Sequence, residues 1–181
     1  MARFRMLIVQ CLLLTIAVAV ASEPDLSAVS SLKVDLGRVV ELGIVEPVDG
    51  ITSSGQPDRA SLQVFADAGY TAVIDLRGVE EHRGFDEPAA VQDLGMEYVA
   101  FPIEGREAIS FDNAGQLDDL IRAQNGPVLV HCGSGNRVGA LLALRASLLG
   151  ADEASSLETG RAGGLTRLED TVRERLSGNT E

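Results

Sequence analysis

Three short runs rich in apolar and β-branched residues, at 71–76 (TAVIDL), 97–103 (EYVAFPI) and 128–131 (VLVH), alternate with stretches of helical periodicity. The connections between them are short. This alternation is the tightest constraint in the chain, because parallel strands need long crossovers, and those crossovers are right-handed. The expected fold class is α/β, with a mainly parallel central sheet and helices on both faces. Residues 39–45 and 49–53 read as two earlier short strands. Gln56-Pro57-Asp58 opens a helix with proline in its first turn. Leu62, Phe65 and Ala66 form its apolar face, and Gly69 stops it. Residues 87–94 read as a short helix ending at Gly95. Ser110 is placed to cap the next helix, whose buried stripe is Leu117, Leu120 and Ile121. The segment 137–149 is apolar nearly all round apart from Arg145, which predicts a central, buried helix. Residues 151–178 add one or two more helices.

The 181 residues suffice for one domain. No internal repeat or linker follows residue 37, so 38–181 is expected to be a single unit behind a flexible lead-in at 22–37. Residues 1–21 have the layout of a secretory signal peptide. Arg3 and Arg5 are followed by an apolar run at 6–20, interrupted by Gln10 and Thr15, and then by Ala19-Val20-Ala21. The alternative is an uncleaved anchor, for which the run is short. The expectation is export to the periplasm or beyond, with no stable membrane span after cleavage. Cleavage removes Cys11 and leaves Cys132 as the only thiol, in a compartment where thiols are oxidised. Such a thiol is either buried and inert or kept for chemistry.

Composition narrows the partners. Aromatics are 4% and tryptophan is absent, so Leu, Val, Ile and Ala must fill the core. A net charge of −12 argues against a nucleic-acid surface, which needs a basic face. It leaves room for a small anionic substrate held in one local cationic pocket. Two histidines and two cysteines cannot supply zinc-finger repeats or a disulfide framework. No metal or other cofactor is expected.

The turn after the third run carries the chemistry: His131-Cys132-Gly133-Ser134-Gly135-Asn136-Arg137. It leaves a buried strand and enters a buried helix, the place where ligands bind in parallel sheets. Gly133 and Gly135 let the backbone curl so that N–H groups converge as an anion cradle, and the helix N-terminus adds positive potential. Both favour the ionised form of a cysteine placed there. Arg137 can return to the ring with a planar fork suited to two oxygens of a phosphate-like group. Gly133, Ser134, Gly135, Asn136 and Arg137 are therefore the candidate phosphate-binding loop. His131 points away from the loop and is placed to hydrogen-bond its backbone from behind. The plainer alternative is a tight turn that happens to contain a cysteine.

This segment resembles the signature of cysteine-dependent phosphatases of the dual-specificity and tyrosine type. The chain is also similar to a bacterial phosphatase-like family related to the N-terminal part of beta-lactamase-hydrolase-like proteins. The similarity runs through Ser54-Gly55-Gln56-Pro57, Val73-Ile74-Asp75-Leu76-Arg77 with Glu80 and Glu81, the 131–139 loop, and Gly160-Arg161-Ala162-Gly163-Gly164-Leu165. It spans roughly residues 40–178. The resemblance implies a metal-independent phosphomonoester hydrolase, acting on a phosphorylated small molecule or protein through a phosphocysteine. It also implies a general acid on a loop about thirty residues ahead of the cysteine. Glu104 is the first choice, with Glu107 and Asp112 behind it.

Two departures stand out. The loop has four residues between Cys132 and Arg137, where these phosphatases have five; four is the rhodanese length. Val138-Gly139 follows the arginine, where phosphatases often carry a hydroxyl, leaving Ser134 as the hydroxyl of the loop. A sulfurtransferase with a Cys132 persulfide and a non-catalytic phosphate-binding module therefore remain alternatives. Arg77 stands at a strand end, where Glu80 or Glu81 can pair with it. Ser54 and Gln56 either line the pocket or simply form a turn. His82 reads as a surface residue, and residues 160–165 as close helix packing.

Overall fold

The structure is a computed structural model, and it describes residues 26–178. The proposed signal peptide at 1–21 lies outside the described residues. Four strands form one parallel sheet in the order β1-β4-β2-β3: β1 Ile51–Ser54, β2 Ala72–Asp75, β3 Glu97–Ala100 and β4 Val128–His131. Among the described residues seven helices surround them: α1 Leu36–Leu42, α2 Arg59–Asp67, α3 Glu87–Asp93, α4 Phe111–Arg122, α5 Asn136–Leu148, α6 Glu153–Ala162 and α7 Glu169–Gly178.

Strand alternation sorts the core into two halves. Ile51, Ala72, Ile74, Val128 and Val130 pack with α4–α7, while Val73 and Leu129 face α1–α3 through Val39, Leu62, Phe65 and Val91. Both faces are thus covered, as an all-parallel sheet requires. The helix starts follow from local chemistry. Asp58 and Ser61 form a reciprocal capping box for α2, and Asp86, Ser110 and Asp152 accept amide hydrogen bonds at the starts of α3, α4 and α6.

Helix α5 runs through the middle of one layer and is buried from Val138 to Leu144, as its apolar sequence predicts. Its closeness to α6 depends on glycine. A Cβ on Gly139 would lie 2.1 Å from the Leu165 amide nitrogen and 2.5 Å from the Gly160 carbonyl oxygen. The 160–165 run is indeed close packing.

Two expectations are corrected. Residues 39–45 do not form a strand. Asp35 accepts from the Arg38 amide, Leu36, Val39 and Leu42 share one packed face, and Gly43 at φ +66° closes the helix. Capping and packing outweigh the β-branched propensity of the valines. The lead-in is not loose where it is described. Val29 and Val34 are buried, the Val34 amide donates to the Ser53 carbonyl at 3.0 Å, and the Ser53 amide donates to the Leu32 carbonyl at 2.6 Å. This segment runs beside β1 and shields its outer edge.

Register decides where function can sit. Ser54 pairs with His131, His131 with Asp75, and Asp75 with Ala100. All four strands therefore end at one level, and the loops that follow them open on one edge.

Candidate active site

Cys132 follows the last residue of β4. Its sulfur is almost fully buried, and the Gly135 amide donates to Sγ at 3.1 Å. Gly135 takes φ +86°, a region that L side chains rarely enter, and this bend turns its amide inward. Gly133 and Ser134 are exposed at the mouth. Next door, Gly55 of the β1–α2 loop lies against the Gly133 carbonyl.

Arg137, in the first turn of α5, carries its guanidinium beside Gly133 and is held from several sides. Its Nη1 donates to Glu81 Oε1 at 2.6 Å and its Nη2 to Glu81 Oε2 at 2.8 Å. Nη1 also reaches the carbonyls of Leu76 and Ile103, both at 3.3 Å. The Glu81 pair raises the Arg137 pKa further, with the Cys132 sulfur contributing. The same guanidinium pulls Glu81 down from its ordinary 4.5 to about 2. Glu81 is thus a fixed anion that orients Arg137 and cannot serve as a proton donor near neutrality.

Arg77 stands behind this pair. Its Nε meets Glu81 Oε2 at 3.2 Å, its Nη2 donates to the His82 carbonyl at 2.9 Å, and Nη1 bonds Gln56 Oε1. Of the two acids offered by the sequence, Glu81 is the partner of Arg77. Gln56 has a structural role, since its Nε2 also donates to Glu87 Oε2 at 2.9 Å. His82 is exposed.

A cleft of about 360 Å³ opens beside Arg137, lined by Gly78, Glu80, Glu81, Ile103, Glu104 and Gly105. Glu104 is exposed there and its carboxylate rests against Gly78. It is on the expected loop, on the Arg137 side of the mouth. Glu107 is drawn away into a pair with Arg175 at 3.0 Å, and Asp112 sits in the first turn of α4. Glu80, which the sequence offered only as an ion-pair partner, lines the same cleft as Glu104. A larger hollow of about 460 Å³ lies between α5, α6 and β1 and contains none of these groups.

Two loop expectations are corrected. The Asn136 side chain does not face the ring. Its Oδ1 accepts from the Thr166 amide at 2.8 Å, the Thr166 hydroxyl at 3.1 Å and the Leu168 amide at 3.4 Å, fastening the α6–α7 turn to the start of α5. Nor does His131 bond the loop backbone. It is fully buried, with Nε2 2.9 Å from Glu87 Oε1 and 3.6 Å from Asp75 Oδ1, and neither ring nitrogen makes a hydrogen bond among the described residues.

Sequence reasoning missed the group around His131. Asp75 Oδ2 accepts from Arg83 Nε and from the Tyr98 hydroxyl, both at 2.7 Å, while Oδ1 accepts from the Arg77 amide at 2.8 Å. Burial is the main force pushing the Tyr98 phenol upward, and the neighbouring Asp75 adds to it. Donor atoms of Asp75, Glu87 and His131 gather within 4.8 Å, close enough for a metal ion. However, Arg83 Nε already stands 2.7 Å from Asp75 and 3.7 Å from Glu87 as their counter-charge. The available signals were an aspartate ending an apolar strand and a glutamate opening α3 with Pro88 behind it.

A buried cysteine at a strand end, an amide pointed at its sulfur and an arginine fixed alongside define a cysteine-phosphatase type of site on a parallel α/β sheet. Comparison with known proteins agrees. The chain belongs to the family described as DSP-PTPase phosphatase fused to NAD+ kinase, whose model matches residues 50–170. It is a phosphatase-type hydrolase domain of the dual-specificity class. It is 36% identical over 105 residues to a beta-lactamase hydrolase-like protein of Xylella fastidiosa, a stretch covering 56% of this chain and 24% of that protein. The chain thus matches only about a quarter of its curated relative. In fold it is similar to a proposed phosphatase of Neisseria meningitidis, with TM-score 0.58, 19% identity, and coverage of 68% of this chain and 91% of that one. It is also similar to P. aeruginosa TpbA in complex with pTyr, with TM-score 0.51, 19% identity, and coverage of 70% and 77%. Among the described residues no helix is long and apolar enough to cross a membrane.

Proposed function

We propose that this domain hydrolyses phosphomonoesters through a phosphocysteine on Cys132. The observation that carries the reading is the Gly135 amide aimed at Sγ from 3.1 Å, beside a guanidinium held in place by Glu81. In the first step the thiolate attacks phosphorus, the S–P bond forms, and the P–O bond to the leaving group breaks. Glu104 supplies a proton to the departing oxygen. In the second step Glu104 takes a proton from water, the water oxygen attacks phosphorus, and the S–P bond breaks. The electron pair returns to sulfur and orthophosphate leaves. The loop amides and Arg137 carry the charge on the equatorial oxygens throughout.

The pTyr complex of the P. aeruginosa neighbour makes an aryl phosphate a sensible first substrate. Purified protein should hydrolyse one with EDTA present, and Cys132→Ser should remove the activity. Activity that survives the serine change would falsify the mechanism. The four-residue spacing between Cys132 and Arg137 favours one rival, a sulfurtransferase with a Cys132 persulfide. Thiosulfate-to-cyanide transfer without phosphate release would support that instead. We also propose that the domain works after export; sequencing the N-terminus of the secreted product should begin at Ser22.

A further inference from the structure

The chain contains one lysine, Lys33, and the fold lays it against the catalytic loop. It comes from the segment ahead of the family match at 50–170. A parallel bridge to Ser53 sets it beside β1, on the side of the sheet away from β2 and β3. A Cβ on Gly135 would lie 3.0 Å from Lys33 Cε and 3.6 Å from Nζ, and one on Gly164 would lie 2.8 Å from Cδ. The aliphatic stem therefore crosses both glycines and brings the ammonium to the residue whose amide faces the sulfur.

Charge pairing separates this lysine from most other cations. Arg38, Arg77, Arg83, Arg122, Arg137, Arg145, Arg161, Arg173 and Arg175 all meet carboxylates. Lys33, Arg59, Arg106 and Arg167 have no carboxylate partner among the described residues. All four lie on segments at the edge where the strands end. Arg59 starts α2, Arg106 follows the Glu104 loop, and Arg167 is in the turn held by Asn136. Arg59 is engaged with the Phe85 ring, 5.1 Å from its centroid, so in a chain of net charge −12 Lys33, Arg106 and Arg167 are the cations at this edge with neither a carboxylate nor a ring partner among the described residues. The acids of the mouth, Glu80 and Glu104, lie on the other flank, beyond β2 and β3.

We infer that Lys33 forms a second anion subsite beside the catalytic loop, for a substrate with another phosphoryl group close to the scissile one. The inference rests on the phosphatase reading and narrows its substrate to a compact polyphosphorylated molecule. The scissile phosphate fills the ring with its departing oxygen towards Glu104, and the second phosphoryl group, carried on that oxygen or a neighbouring one, bends back to the ammonium on the β1 side.

The test measures binding of orthophosphate and pyrophosphate to Cys132→Ser protein by calorimetry, at constant physiological ionic strength. Lys33→Met keeps the stem over Gly135 and Gly164 but removes the charge. It should weaken pyrophosphate roughly tenfold, the order expected of one charge-assisted hydrogen bond, and orthophosphate far less. Lys33→Arg should restore most of the difference. Arg122→Met, which removes the same charge from the far end of α4, should not reproduce it. Equal losses for both anions, no loss for pyrophosphate, or the same effect from Arg122→Met would each overturn the subsite. Those results would leave the phosphatase reading standing. Protein with Lys33 intact that neither binds orthophosphate nor hydrolyses an aryl phosphate would sink both.

Discussion

Arg137 and Glu81 face one another fork to fork, at 2.6 and 2.8 Å, although 56 positions separate them in the chain. Glu81 therefore fixes the plane of the guanidinium before any substrate arrives. Glu81→Gln keeps the shape but gives up the charge and one of the two acceptor oxygens, leaving Arg137 to a single amide oxygen and the carbonyls of Leu76 and Ile103. It should lower kcat/KM by about ten- to a hundredfold, the scale found when a supporting partner of a site group is lost. The loss should exceed that from Arg77→Gln, whose link to Arg137 runs through Glu81. A similar loss for both would mean that the acid merely stabilises the loop.

The same pair sets a pH dependence. The Glu81 pKa falls from 4.5 to about 2 on folding, chiefly through the Arg137 hydrogen bonds. A carboxylate depressed in this way stabilises the folded state fully above about pH 4.5, and that contribution is lost as pH falls towards 2. Acid unfolding of the wild type should therefore be steeper across this window than that of Glu81→Gln. Circular dichroism at stepped pH values tests this, and superimposable profiles would count against it.

Glu104 can be separated from a bystander by its dependence on the leaving group. Glu104→Gln should cost about 10²–10⁴ in rate on alkyl phosphates, whose oxygen needs a proton as it departs. On aryl phosphates with acidic leaving groups the loss should shrink sharply. Equal losses across the series would transfer the role, with Glu80 the next group to test in the same cleft.

Asp75 is fully buried and holds Arg83, Tyr98 and the Arg77 amide together. Asp75→Ala leaves Arg83 facing the buried group without its nearest partner. It should destabilise the domain by about 3–5 kcal/mol, against about 1–3 kcal/mol for Tyr98→Phe. Urea denaturation measures both, and the reverse order would show that Tyr98 is the anchor.

Gly139→Ala should be among the most disruptive single-methyl additions. The obstacles are the Leu165 amide and the Gly160 carbonyl, main-chain atoms that cannot rotate away. Overpacking of this kind costs about 1–3 kcal/mol or more. Thermal unfolding should show a clear drop, whereas Gly178→Ala, with open space around it, should not.

What could be read in the chain was whatever is written locally. Residues 128–139 carry their own strand, turn and helix signals, so β4, the turn with Cys132 and the start of α5 with Arg137 follow from local sequence. Other features depend on partners far along the sequence. The Asn136 amide looks like loop chemistry until Thr166 and Leu168 come round to it. His131 looks like support for the loop until α3 brings Glu87 beside it. Val39 and Val40 favour extended backbone until Asp35 caps a helix and α2 packs on it. Lys33 sits in a stretch without periodicity, and only its bridge to Ser53 reveals what it lies beside.

That bridge bears on how the domain should be handled in isolation. Residues 32–34 occupy the hydrogen-bonding groups of Ser53 along the outer side of β1. A fragment trimmed to residue 50 would present a bare strand, a ready template for a neighbouring copy to add on and precipitate. Material produced for crystals or assays should begin no later than residue 26.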